Sequence, residues 1–352
     1  MKEILTKQFN VFVGADSLTQ LSELLIEKSY TKVFVLVDNH TKKHCLPLLK
    51  PFLAQFYLIE IKAGEIHKNI QTAQFIWQQL QDNNADRTSL LINLGGGVIC
   101  DMGGFAAATF KRGIDFIHIP TSLLAMVDAS IGGKLGIDFN GIKNEIGLFK
   151  HPHLIAVDAV FLKTLPNVEL MSGFAELVKH GLVANKKMWH ELQTLENVTP
   201  ESIQKYIYQS IKIKVKIVRK DPTEKGIRKA LNFGHTIGHA IESASILKSN
   251  KPILHGHAIA LGMIVESWLS CQLNYLAPKD CIQIENYIRK HFDIPGFDFD
   301  INDLIQLMGH DKKNENGKIQ FSLIHKIGSP KLKINCEQEL IQQALITCLQ
   351  LK

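Results

Sequence analysis

The chain is poor in cysteine: six in 352 residues, at Cys45, Cys100, Cys271, Cys281, Cys336 and Cys348. None forms a C-x-x-C pair, and six are too sparse to staple a chain of this length. A disulfide framework is therefore excluded, and reduced, mostly buried thiols are expected. Long hydrophobic runs are also absent. No stretch reaches the roughly 18 uninterrupted apolar residues of a membrane helix, so no membrane partner is expected. The segment Met1 to Lys7 carries an acid at Glu3 and no apolar core with a small-residue cleavage site. No secretory signal is read there, and a cytoplasmic location is the expectation. The net charge of +6 is mildly basic, but the cations form no stripe interleaved with aromatics. Nucleic acid is thus not an expected partner, whereas a small anionic substrate fits. Neither internal repeats nor low-complexity segments occur.

What is present is an ordinary globular composition, 45% hydrophobic and 21% charged, at a length that favours two domains. Residues 1–160 alternate short apolar runs with helix-like segments. The runs are 32–38, 56–61, 89–94, 116–119 and 154–157, and segments such as 70–81 between them carry apolar residues at helical spacing. Alternation of this kind predicts an α/β, Rossmann-like domain with a mostly parallel sheet. From about residue 161 to 352 helical patterns dominate, at 169–183, 201–219, 228–244, 255–272 and 337–349, with one hairpin-like stretch near 318–327. A mainly α-helical second domain is expected there, with the boundary near residue 160.

Gly95-Gly96-Gly97 follows the run 89–94 directly and precedes a helical pattern. Glycines at such a turn let backbone amides approach a phosphate, and the helix N-terminus adds partial positive charge. The reading is a dinucleotide pyrophosphate site, although the spacing is not G-x-G-x-x-G. Asp38, at the end of the run 32–38, is the candidate for a ribose hydroxyl.

A second signal lies in residues 226–242. Arg228, Asn232, His235, His239 and Glu242 fall at i, i+4, i+7, i+11 and i+14, which places them on one face of a helix. A solvated face would carry Lys and Glu instead. Gly234 and Gly238 cost such a helix roughly 1 kcal/mol each relative to Ala, so close approach by another element is expected. Histidines four apart can share a metal, or divide metal binding and proton transfer between them. A third ligand is needed, and His255, His257 and Glu176 are all candidates on this reading. A third signal is the stretch 120–134, low in charge and rich in Gly and Ser, which ends at Lys134; Lys143-Asn144 follow nine residues on. This combination suits a phosphate or carboxylate.

Taken in order, these segments resemble the 3-dehydroquinate synthase family of sugar-phosphate cyclases. The resemblance rests on the glycine loop with Asp101, on Lys111-Arg112-Gly113, and on the run from Pro120 to Lys134. It continues through Lys143-Asn144, Phe174-Ala175-Glu176 with Lys179, Leu231 to Glu242, and Leu254-His255-Gly256. It implies metal ligands Glu176, His235 and His255, with His239 as a substrate and proton-transfer residue. The resemblance further implies that NAD contacts Glu65, Lys68, Gly96, Gly97, Asp101, Thr121, Ser122, Lys143 and Thr164. Substrate is implied at Arg112, Asp128, Lys134, Asn144, Lys179, Lys214, Arg228, Asn232, His239 and either Lys312 or Lys313. Zn2+ or Co2+ is the implied ion, and a homodimer the implied assembly.

The chain departs from the family pattern at three places. His257 stands where a Glu is usual, Leu135 where a Thr is, and Cys100 where Gly or Thr precedes Asp101. The implied substrate is 3-deoxy-D-arabino-heptulosonate 7-phosphate. Transient oxidation by NAD, phosphate elimination, re-reduction and intramolecular aldol closure would give 3-dehydroquinate, a carbon-oxygen lyase reaction of aromatic amino-acid biosynthesis. Two nearby readings are another cyclase, such as a 2-deoxy-scyllo-inosose synthase, and a metal-dependent alcohol dehydrogenase of the glycerol dehydrogenase type. A non-catalytic metal-binding scaffold is the reading from another class.

Overall fold

The computed structural model describes residues 1–140, 142–248, 252–292, 299–309 and 319–349. The chain divides into two compact units, 1–170 with 199–215, and 171–198 with 216–352.

The first unit is built on a seven-stranded sheet. Its strands are β1 (Lys2–Leu5), β2 (Asn10–Val13), β3 (Val33–Asp38), β4 (Tyr57–Ile61), β5 (Leu90–Gly95), β6 (Asp115–Pro120) and, after a separate hairpin, β9 (Leu154–Val157). The order is β1-β2-β9-β6-β5-β3-β4, and only the β1–β2 pair is antiparallel. Helices cover a parallel sheet on both faces, so central strands are apolar throughout rather than alternating. All six residues of β5 are buried, as are the four central residues of β3. From β3 the chain runs outward to β4 and then crosses back to β5. The strand order therefore reverses between β3 and β5, which is where such sheets open a crevice at their carboxyl ends. Leu36 pairs with Asn93, so Asp38 and Gly95, two residues further along each strand, stand together at that end.

The helix Gly97–Thr109 returns across the sheet on small residues. A Cβ on Gly103 would lie 1.9 Å from Asn93 Oδ1 and 2.7 Å from Leu36 Cδ2. The hairpin β7 (Lys134–Phe139) and β8 (Ile142–Phe149) packs on this helix through Leu135, against which Gly104 lies. The sequence pattern predicts a loop in this region; its exposed apolar residues, such as Ile142 and Phe149, hide the strand alternation.

His118, in β6, is buried, with Nδ1 3.2 Å from Asn93 Nδ2. Burial pushes its pKa down to about 3. The folded ring stays neutral while the unfolded chain takes up a proton below about pH 6.5, so stability is complete above that value and falls with pH towards 3. At about 1.4 kcal/mol per pH unit, the penalty near pH 5 is about 2 kcal/mol. His118→Asn is expected to remove up to one proton from the slope of unfolding free energy against pH between about 6 and 4. Urea titrations across that range read it, and an unchanged slope contradicts a neutral buried ring.

The second unit is mainly helical. Most of the helix Asn167–Ala184 belongs to it, with Lys186–Leu192, His235–Lys248, His255–Gln272, Pro278–His291, Ile301–Gly309 and Gln338–Leu349. Its one hairpin among the described residues is β10 (Gln320–Lys326) with β11 (Ser329–Asn335). His255–Gln272 is buried on nearly every side, the pattern of a central helix. The expected continuous helix over 228–244 is not observed. Residues Ile227–Asn232 form a 3-10 segment, Gly234 takes φ +80, and the α-helix starts at His235. Glycine is required at the break, because a Cβ on Gly234 would sit 2.6 Å from Met263 Cγ and 2.9 Å from the Ile259 carbonyl. Among the described residues no helix is long and apolar enough to cross a membrane.

Candidate active site

In the first unit, Gly96 precedes the helix Gly97–Thr109 and offers no side chain to its amides. A Cβ on Gly96 would stand 3.4 Å from Ser122 Oγ, and one on Gly97 3.4 Å from the Ala129 Cβ. Glycine thus leaves a shallow cradle backed by Ser122 and Ala129 at an uncapped helix N-terminus, which fits a pyrophosphate. Thr121 is tied to this turn by its amide, 3.0 Å from the Gly95 carbonyl. Beside it is a charged cluster. Lys68 is buried, and its Nζ lies 2.6 Å from Asp101 Oδ2 and 2.6 Å from Asn144 Oδ1. Burial alone would lower the pKa of this lysine, but Asp101 and then Glu65 hold it above the ordinary value. Glu65 also stands 3.9 Å from Lys143 Nζ.

Asp138 ties the cluster together. Its carboxylate accepts from the Asn144 amide at 2.8 Å, and its own amide donates to the Lys68 carbonyl at 2.7 Å. No sequence signal marked it. Lys214, on the helix Pro200–Lys220, lies 2.6 Å from Asp128 Oδ1. The other sequence candidates in this unit, Arg112, Lys134 and Thr164, are exposed. Asp38 serves the fold, since its Oδ1 accepts from the amides of His40 and Thr41 and so caps the helix Asn39–His44.

The second unit holds the other cluster. Glu176 comes from the helix Asn167–Ala184, His235 from the first turn of His235–Lys248, and His255 from the first turn of His255–Gln272. Their ligand atoms lie within 4.8 Å of one another. Glu176 Oε1 is 3.8 Å from His235 Nε2 and 3.9 Å from His255 Nε2. It is buried and has no hydrogen-bond partner among the described residues, a costly state for a carboxylate oxygen unless a cation completes it. The other nitrogen of each ring faces an acceptor. His235 Nδ1 is 3.2 Å from the Phe233 carbonyl, and His255 Nδ1 is 3.2 Å from Glu242 Oε2. These contacts direct Nε2 of both rings inward, as metal-ligating histidines require. Glu242 was visible in the sequence as the last member of the polar stripe, although its orienting role was not.

Lys179 pairs with Glu176 one turn along the same helix. The His239 ring is 5.1 Å from that of His235 and 5.9 Å from that of His255, centroid to centroid. His257 packs edge-on against Phe292, 5.7 Å between centroids, and is not in the converging group. Arg228 Nη1 donates to the Pro222 carbonyl at 2.6 Å, and Asn232 Nδ2 to Glu224 Oε1 at 2.6 Å. Asp221 folds this loop, with Oδ2 accepting from the amides of Gly226 at 2.7 Å and Arg228 at 3.0 Å. Lys312 and Lys313 lie outside the described residues.

A doubly wound sheet unit with a glycine turn, followed by a helical unit carrying a two-histidine, one-carboxylate group, is the plan of a class of two-unit proteins that holds both synthases and alcohol dehydrogenases. The chain is similar over 98% of its length, and 98% of the other, to the structure of 2-deoxy-scyllo-inosose synthase complexed with carbaglucose-6-phosphate, NAD+ and Co2+, at a TM-score of 0.87 and 25% identity. The 2-epi-5-epi-valiolone synthase from Streptomyces hygroscopicus shares the fold at a TM-score of 0.85, 22% identity and 99% coverage of both chains. Residues 58–172 match the family described as 3-dehydroquinate synthase N-terminal, and 173–314 the one described as 3-dehydroquinate synthase C-terminal. The chain is 43% identical over 340 residues to the 3-dehydroquinate synthase of Parabacteroides distasonis, covering 95% of this chain and 96% of that one. With the enzyme of Dehalococcoides mccartyi it is 37% identical over 341 residues, 94% of this chain and 93% of the relative. The chain belongs to the 3-dehydroquinate synthase family.

Proposed function

We propose that the chain converts 3-deoxy-D-arabino-heptulosonate 7-phosphate to 3-dehydroquinate and phosphate, with NAD and a divalent ion, Zn2+ or Co2+, as resident groups. The observation that carries this reading is the buried Glu176 Oε1, without a hydrogen-bond partner among the described residues, facing two histidine nitrogens. An N2O donor set suits either ion and leaves coordination positions for substrate oxygens. Glu176, His235 and His255 hold the ion. The glycine turn, Thr121 and Ser122, with Glu65, Lys68, Asp101 and Lys143, hold the dinucleotide. When bound, the dinucleotide supplies a transient hydride acceptor and the ion a Lewis acid.

The chain's own side chains handle charge and protons. Arg228 presents a planar fork suited to the substrate carboxylate. For the phosphate and proton transfer the candidates are Lys134 and Asn144 in the first unit and, in the second, Lys179 and His239, whose imidazole takes up and returns a proton at a ring nitrogen. Arg112, Asp128, Lys214, Asn232 and one of Lys312 and Lys313 complete the substrate contacts. Six free thiols suit a reducing compartment, the cytoplasm.

The test is an assay with the heptulosonate phosphate. Inorganic phosphate should appear mole for mole with 3-dehydroquinate and without accumulation of NADH, while glucose 6-phosphate should stay intact. Net NADH formation, or turnover of glucose 6-phosphate in preference, contradicts the reading.

A further inference from the structure

The helix that begins at His235 has no capping side chain of its own, because the residue before it is Gly234. The first amides of any helix lack intrahelical acceptors, and here the acceptor comes from another helix. Glu266, fully buried on His255–Gln272, accepts from the Gly234 amide at 2.7 Å through Oε2. Its Oε1 accepts from the Thr236 amide at 3.1 Å and the Ile237 amide at 3.3 Å. The two helices come close enough for this because Gly262, one turn before Glu266, has no Cβ; one there would sit 1.9 Å from the Gly234 carbonyl.

Three amides clasp one carboxylate at the positive end of a helix dipole, which stabilises the charge despite complete burial. The clasped residues flank His235 on both sides. His255 and Glu266 are eleven residues apart on their helix, so they share a face, and that helix both supplies one histidine of the group and locks the backbone of the other.

We propose that Glu266 is a positioning residue: it fixes the backbone at His235 and so sets the geometry of the ion site without touching the ion. The inference rests on the proposed ion site at Glu176, His235 and His255. Glu266→Gln replaces one acceptor oxygen with an NH2 that must face backbone donors, which loosens the clasp. Loss of an outer partner of this kind lowers metal affinity by about 10- to 100-fold.

The experiment measures Zn2+ affinity by chelator competition, and the visible absorption spectrum of the Co2+-substituted protein, for wild type, Glu266→Gln, Glu266→Asp and Glu176→Ala. Glu266→Gln is expected to bind Zn2+ at least about tenfold more weakly and to show an altered Co2+ spectrum, with Glu266→Asp, which keeps the charge, in between. If Glu266→Gln yields no folded protein, Glu266→Asp carries the comparison. Unchanged affinity and spectrum in the Glu266 variants, beside a loss in Glu176→Ala, overturn the positioning role and leave the ion site standing. Full affinity in Glu176→Ala overturns the ion site and this inference with it. A lower melting temperature with unchanged affinity in the folded protein marks a structural cap only and overturns the proposal.

Discussion

Replacing Glu176 with Ala is expected to abolish metal binding and activity together, with kcat/KM falling by about a thousandfold or more. Lewis-acid stabilisation of developing charge contributes several kcal/mol, and about 4 kcal/mol corresponds to that factor. Glu176 is fully buried and brings the only carboxylate of the converging group. Two histidines alone leave a divalent ion with neutral donors and an incomplete shell. The substitution has a second consequence, since Glu176 is also paired with buried Lys179. Removing one member of a buried ion pair destabilises by about 3–5 kcal/mol, so a lowered melting temperature is expected beside the metal loss. Glu176→Gln separates the two effects. It keeps the shape and one acceptor oxygen for Lys179 but withdraws the charge, so it should lose less melting temperature than Glu176→Ala while binding metal as poorly. Metal analysis after dialysis, with phosphate-release kinetics on the same samples, reads both. A Glu176→Ala protein that retains stoichiometric metal contradicts the role assigned to this carboxylate.

Lys68→Met is the second change with a large expected effect, this time on the first unit. The ammonium is buried, 2.6 Å from Asp101 Oδ2 and 2.6 Å from Asn144 Oδ1, with Glu65 Oε1 at 3.8 Å. Without it, Asp101, whose pKa burial already raises, loses the ammonium that opposes that rise and compensates its charge. The lower end of the range for breaking a buried pair applies, about 3 kcal/mol, because the Asp101 side chain retains some access to water. For a unit of this size that is a fall of about 6–12 °C in melting temperature. Affinity for the dinucleotide should fall as well, because Lys68 and Asp101 flank the glycine turn. The double change Lys68→Met with Asp101→Leu should recover much of the stability but none of the affinity, since an apolar pair tolerates burial where a lone charge does not. Additive losses in the double variant contradict a coupled pair.

Much of the first unit was legible because its signals are local. Buried parallel strands read as continuous apolar runs, and the glycine turn announces itself after 89–94. The hairpin at 134–149 was not legible, since its outward residues are as apolar as its inward ones and period-2 alternation disappears. In the second unit the polar stripe from Arg228 to Glu242 was visible, but its continuity as one helix was not real. Gly234 takes a positive φ and packs against Met263 and Ile259, roughly thirty residues away, and no local propensity carries that information. The same distance problem hides Asp138 and Glu266, whose partners are separated from them in sequence. Residue types and spacing alone left the third metal position open among Glu176, His255 and His257. The choice implied by family resemblance is the trio that the folded chain brings together, while His257 turns to Phe292.

Anomalous diffraction from crystals grown with Zn2+ and NAD tests the central claim most directly. One peak at the zinc edge is expected at about 2.0–2.2 Å from Glu176 Oε1, His235 Nε2 and His255 Nε2. A zinc peak held by other residues, with Glu176 Oε1 still facing the two imidazoles across an empty gap, would contradict it.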